Sequence, residues 1–109
     1  MNNRTTYDDG RITCDENGLT IGWYYPWGAK HIRYSSIRAV ERLSLTGVNQ
    51  VRRWRIWGSG DFVHWWNLDP GRTDKDLALV LDVGRRIRPT ITPNDAEAVE
   101  RIVRERMSA

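Results

Sequence analysis

LALVLDVGRRIRPTITPNDAEAVERIVRERM, residues 77–107, is the stretch on which the fold turns. Leu77, Leu79, Leu81 and Val83 recur at every second position, the period of a strand with one face on a core. Gly84 turns the chain into a second strand over residues 86–92, where Ile87 and Ile91 oppose Arg86, Arg88 and Thr90. The period then changes. Thr92 is placed as an N-cap, Pro93 at the first helical position and Asp95 in the first turn, near the positive end of the dipole. Ala96, Val99, Ile102, Val103 and Met107 fall on one helical face. Glu97 with Arg101 and Glu100 with Arg104 are favourably ordered i,i+4 pairs on the helix. An amphipathic helix after a run of strands needs a surface to cover, and the open end of the preceding sheet supplies one.

Working back toward the N-terminus, the same two-residue period returns in short segments. Residues 11–15 form a brief strand, and Glu16, Asn17 and Gly18 a tight hairpin in which Gly18 supplies positive φ. Residues 19–25 follow, with Leu19, Ile21 and Trp23 on one face. Pro26, Trp27 and Gly28 break that strand, and residues 30–34 resume with Ile32 and Tyr34 in phase. Over residues 37–45 the alternation slips between Val40 and the pair Leu43 and Leu45, for which a bulge is the usual cause. Residues 51–58 and 62–68 read as two more strands around the turn at residues 58–61, and residues 69–76 as the longest loop. Turn signals thus recur at roughly 8–12 residues, the spacing of a sandwich or barrel. The fold class is mainly β: about seven antiparallel strands in two bent sheets, a barrel or roll, capped by one C-terminal helix.

At 109 residues the chain has room for one core. Residues 1–9 read as a flexible N-terminal arm or the start of an early strand, and residues 10–109 as the domain. Hydrophobic residues at 39% and charged residues at 28% fit a folded, water-facing protein rather than a disordered one. Six Trp against a single Phe is the outlying feature. Each indole buries a large area yet needs a partner for its N–H, so some of the six are expected half-exposed, where a second molecule can cover them. One cysteine, Cys14, excludes an internal disulfide framework and points to a reducing, cytoplasmic setting. There is no secretory signal pattern and no apolar run long enough to span a membrane. The net charge of +3 comes from 17 basic and 14 acidic residues, an excess too small to make nucleic acid the default partner.

Glu16-Asn17-Gly18-Leu19-Thr20-Ile21, followed by Ile32, Tyr34, Ile37 and Val40 in an Ile-x-Tyr-x-x-Ile-x-x-Val spacing, resembles the front half of bacterial pleckstrin-homology-like domains. The stretch from Leu79 to Val103, containing Arg88-Pro89-Thr90-Ile91-Thr92-Pro93-Asn94-Asp95, is similar to their last strand and capping helix. The resemblance covers residues 11–107 and marks turns and core positions. It implies a bent two-sheet barrel plugged at one end by the helix, a scaffold for lipid, peptide or protein binding that often oligomerises. It carries no catalytic residues.

Candidate binding residues are aromatics and arginines. Tyr25 and Trp27 lie at a turn, where Trp and Tyr can anchor a partner or sit at a membrane interface; Trp23 is assigned to capping the barrel end. Arg53, Arg55 and Trp57 share one face of a strand whose other face carries Trp54 and Ile56. That face reads as solvated arginine stems lying over indole, or as a surface for acidic protein or phosphate. Trp65 stands in the cluster formed with His64 and Trp66, and Arg86 and Arg88 extend the basic set. Acidic residues in the first hairpin, with only Lys30, His31 and Arg33 in the next segment, argue against specific inositol phosphate binding.

Catalysis has little to build on. His31, His64 and Cys14 show no metal-ligand spacing, so no metal or other cofactor is expected. Ser35, Ser36 and Ser59 lie in no nucleophile elbow. The expectation is a non-catalytic module that engages a protein partner or a second copy of itself. An anionic membrane surface, approached through Arg53, Arg55, Arg86 and Arg88 with Trp27 as a wedge, comes second, and single-stranded nucleic acid third.

Overall fold

The structure is a computed structural model and describes residues 5–25, 27–45, 64–67, 72 and 75–107. Its first sheet is an antiparallel meander of β1 (Tyr7–Asp8), β2 (Ile12–Cys14), β3 (Gly18–Tyr25) and β4 (Gly28–Arg33), paired in that order. A 3-10 turn at Tyr34–Ser36 leads to β5 (Ala39–Ser44). The second sheet adds β6 (His64–Trp66), β7 (Leu77–Asp82) and β8 (Arg88–Ile91), in the order β5-β7-β8-β6, and α1 (Ala96–Arg106) closes the described chain. Mainly β, in two four-stranded sheets with one C-terminal helix, is therefore the architecture. Among the described residues, no strand pairing joins the two sheets into a closed barrel.

One core is shared by every layer. Ile12, Cys14, Leu19, Ile21 and Ile32 from the first sheet meet Val40, Leu79, Leu81 and Ile91 from the second, and Val99 and Val103 of α1. Each of these obeys the period of its own element. Cys14 belongs to this core; burial, reinforced by the Asp15 and Asp9 charges, pushes its thiol up to about 12, so it packs as an inert apolar group. A smaller cluster of Leu45, Trp66 and Ala78, with Leu43 against it, occupies separate ground.

That second cluster accounts for the parity slip in β5. No bulge is present there: β5 and β7 pair without interruption from Ala39 opposite Asp82 to Ser44 opposite Leu77. Val40 serves the main core, while Leu43 and Leu45 serve the other cluster, so the strand is apolar toward both. The register break lies instead in β3. Ile21 faces Lys30 and Tyr25 faces Gly28, so Gly22, Trp23 and Tyr24 together stand opposite Ala29. Trp23 takes a left-handed φ of 55° there, a conformation costing about 1–2 kcal/mol in a bulky residue.

Two further expectations are corrected. β6 pairs with β8 in parallel rather than antiparallel. The chain between them contains β7 and is long enough to cross over, which adjacent hairpins would not allow. The helix begins at Ala96 with Asp95, not Thr92, as its N-cap; the Asp95 carboxylate accepts from the Ala98 N–H at 3.1 Å. Thr92 is committed elsewhere, its hydroxyl accepting from Arg72 Nε at 3.1 Å and its carbonyl from Lys75 Nζ. Gly18 has the positive φ expected of it, 159°, and is required by close approach as well, since a Cβ there would collide with the Ile32 carbonyl oxygen. The turn itself is held by the Asp15 side chain, which accepts from the N–H groups of Asn17 and Gly18 at 2.8 and 3.0 Å.

Two carboxylates tie the helix to the sheets. Asp9 accepts from the Tyr7 hydroxyl at 2.6 Å and from the Asn94 N–H at 2.7 Å, so residues 7–9 belong to the folded domain rather than to a flexible arm. Burial works to raise the Asp9 pKa, but the bonds from Tyr7, Asn94, Ile12 and Arg11 outweigh it and hold the group below its ordinary value. Glu100 is held low chiefly by the Arg42 hydrogen bond, against burial and with help from Arg104. Arg104 also donates to the Val40 carbonyl at 2.7 Å, fastening α1 to β5.

Both carboxylates have folded pKa values below their unfolded ones. Their contribution is fully present above the ordinary carboxylate range of about 4 and is lost as pH falls through the lowered folded values. The urea midpoint is expected to drop on acidification below about pH 4, and the Asp9→Asn, Glu100→Gln double variant to be weaker at pH 7 with a flatter acid limb. Gly18→Ala should cost roughly 1–3 kcal/mol by the same urea titration.

Candidate functional site

At the register break in β3 the backbone leaves the regular ladder. The Gly22 N–H donates to the Arg11 carbonyl at 2.6 Å, and a Cβ on Gly22 would stand 2.9 Å from that oxygen. The carbonyls released toward the other side are taken by the second sheet. Trp65 Nε1 donates to the Tyr24 carbonyl at 2.8 Å, and Asn67 Nδ2 donates to the Gly22 carbonyl at 3.1 Å. The bulge is thus a point at which hydrogen bonds join the two sheets.

Its second effect is to re-aim the aromatic side chains. A regular strand sends neighbouring residues to opposite faces. Here Tyr24 is buried and Tyr25 half-buried, yet both line the same cleft, their rings edge to face with centroids 4.9 Å apart. Trp23 is turned out and is 54% exposed, so its assignment to the barrel end is corrected. Tyr25 carries Trp27 on its free side, the rings stacked at 4.8 Å and 4°, with Trp27 80% exposed.

The cleft has a volume of about 220 Å³. Tyr24 and Tyr25 of β3 and Lys30 of β4 form one wall; Trp65 of β6 and Pro89 of β8, register partners in the parallel pair, form the other. Val83, Arg85 and Ile87 of the β7–β8 connection close it. Trp65 leans on Tyr24 at 5.8 Å between centroids. Lys30 Nζ donates to the Tyr25 hydroxyl at 3.2 Å and lies 5.5 and 5.7 Å from the Tyr24 and Tyr25 centroids, a cation held against two π faces. Burial, then the neighbouring Tyr25, pushes the Tyr24 hydroxyl above its ordinary value, so it remains neutral.

Of the sequence-stated binding residues, Tyr25, Trp27 and Trp65 are brought together here. Arg86 is exposed on the adjoining connection but does not line the cleft. Arg88 lies 3.7 Å from Asp82 and 3.9 Å from Glu41, a half-exposed arginine between two carboxylates. Arg53, Arg55 and Trp57 lie outside the described residues. Sequence reasoning missed Arg85, Ile87 and Pro89, and weighed Lys30 only for phosphate. The available signal was Gly22 beside three consecutive aromatics, a place where a strand can bulge. Among the described residues, no group of three or more His, Cys, Asp and Glu is placed to hold a metal ion. No helix among them is long and apolar enough to cross a membrane.

No protein-family model, curated protein or solved structure matches the chain.

The exposed and the half-buried indole of this aromatic group should separate cleanly. Trp27→Ala is expected to shift stability by no more than about 0.5 kcal/mol. Trp65→Phe keeps the ring but removes the donor to the Tyr24 carbonyl, and should cost about 1–2 kcal/mol by urea titration.

Proposed function

We propose that this chain is a non-catalytic protein-interaction module that binds through the aromatic cleft and the Trp27–Tyr25 stack. The observation that carries the reading is Trp27, a large apolar ring 80% exposed yet held flat against Tyr25 at the lip of a concave apolar cleft. Ile87, 37% exposed, continues that surface on the other side. Exposed, pre-positioned Trp and Tyr are the residue types that dominate interface hot spots, because two χ angles fix a large contact area. Scaffold order supports the pleckstrin-homology-like reading of the fold: an antiparallel four-stranded meander, a second sheet, then a C-terminal helix. The parallel β6–β8 pair is the departure from that pattern.

A second reading, docking to an anionic membrane surface, draws on Trp23 in β3 and Trp27 in the β3–β4 turn, both exposed. It is weakened by Arg88, which is already set between Asp82 and Glu41. Of its remaining arginines, Arg86 is exposed, while Arg53 and Arg55 fall outside the described residues. The nucleic-acid reading rested on the Arg-Trp strand at residues 52–57, which lies outside them as well.

Panning a displayed library of random peptides against the chain tests the leading reading. Recovered binders are expected to lose about 2 kcal/mol, roughly thirtyfold, on the Tyr25→Ala, Trp27→Ala double variant, and to be unaffected by Arg101→Ala on the helix. Binders indifferent to the double variant would refute the site. Light scattering over a concentration series covers self-association, and any oligomer must dissociate in the same double variant.

A further inference from the structure

The cleft is chemically one-sided. Tyr24, Tyr25, Trp65, Val83, Ile87 and Pro89 make its walls apolar, and its charged lining residues are Lys30 and Arg85. Among the described residues, no carboxylate lines it. The nearby Asp82 and Glu41 face Arg88, and Asp82 also accepts from the Gly84 N–H at 2.9 Å. Lys30 is pre-positioned rather than free to wander: one N–H goes to the Tyr25 hydroxyl and the ammonium lies against two rings. An ammonium has three donors, so that arrangement leaves it able to receive an incoming acceptor.

Size narrows the occupant. At about 220 Å³ the cleft is smaller than the roughly 300–1,000 Å³ of sites that enclose a cofactor or drug-sized molecule. It suits one large side chain. Charge narrows it further. Two copies meeting through this surface would bring four cations together, Lys30 and Arg85 from each, in a partly desolvated place where like charges are costly. A bilayer engages convex apolar wedges better than a recess whose cation is set between two tyrosines.

Resting on the interaction reading above, we infer that the cleft receives a single aliphatic side chain of an extended acidic peptide, whose flanking carboxylates meet Lys30 and Arg85. The apolar walls supply the contact, and the two cations, on β4 and on the β7–β8 connection, set which sequences are accepted.

The test is fluorescence anisotropy with a labelled peptide of about ten residues, one central Leu flanked by Asp and Glu in a Gly background, at low and moderate salt. The acidic peptide is expected to bind and to weaken with salt. Replacing its Leu by Gly, or its carboxylates by Lys, should weaken it by roughly tenfold or more. Lys30→Gln and Arg85→Gln should each weaken it by about three- to tenfold and reduce its salt dependence, with the urea midpoint unchanged for Arg85→Gln. Equal binding of the Lys-flanked peptide overturns the inference. So does tighter binding to phosphatidylserine vesicles than to the peptide, or a dimer that Arg85→Gln strengthens. If the acidic peptide fails while library binders still depend on Tyr25 and Trp27, the acidic chemistry is wrong and the interaction reading stands; if both fail, both fall.

Discussion

The bulge in β3 is held by two side-chain hydrogen bonds from the other sheet, Trp65 to the Tyr24 carbonyl and Asn67 to the Gly22 carbonyl. A strand that breaks register exposes main-chain groups that must find partners when buried. Here the partners come from the edge strand of the second sheet, so the local irregularity becomes the long-range connection. Gly22 permits the close approach to Arg11 that starts the break, and Trp23 absorbs it in a left-handed conformation. The hydrogen bonds and the burial of Tyr24 offset that strain. Remove the break, and Tyr24 and Tyr25 return to opposite faces, so the cleft no longer exists.

Away from the bulge, the described fold is fastened by polar groups set around a conventional apolar core. Arg72 is fully buried, donates to the Asn67 carbonyl and side-chain oxygen at 2.8 and 3.0 Å and to Thr92, and lies 5.0 Å from the Trp66 ring centre. The guanidinium fork suits this task because several donors radiate in one plane. It fixes Asn67, and Asn67 in turn holds the Gly22 carbonyl. A chain of contacts therefore runs from Thr92, just past the end of β8, through Arg72 and Asn67 to the bulge. Burying an arginine is costly unless it is well bonded, which makes this chain intolerant of partial loss.

The same arrangement explains why the cleft is both apolar and cationic. Its walls come from both sheets, so aromatic rings from β3 share a cleft with Trp65 and Pro89. Lys30 lies within β4, two residues before Ile32, where burial of its stem is cheap and its ammonium can rest on the tyrosines. Arg85 arrives from a connection that has no sequence relation to β4. In the proposed function, recognition would use rings already held by one another, which limits the entropy lost on binding.

Much of the framework was legible in the residues. Leu19 and Ile21, Leu79 and Leu81, Val99 and Val103 are buried as their periods require, because burial of one face depends only on local geometry and on apolarity. The C-terminal helix, its Glu100–Arg104 pair and the first hairpin follow from the same local rules. The aromatic residues Tyr25, Trp27 and Trp65 could be named as candidates from residue type alone. What local rules could not decide was every feature set by partners distant in the chain. Thr92 surrendered its cap because Arg72 claimed it, and β5 kept its register because a second cluster received Leu43. Trp23 and Tyr24 exchanged faces because Trp65 and Asn67 could bond the carbonyls of a broken ladder. Lys30 and Arg85 became one charge pattern only when the two sheets met. Periodicity is a property of neighbours along the chain, whereas a bulge, a parallel pairing or a cleft is chosen by the free energy of contacts across it, and that is a quantity only the tertiary structure contains.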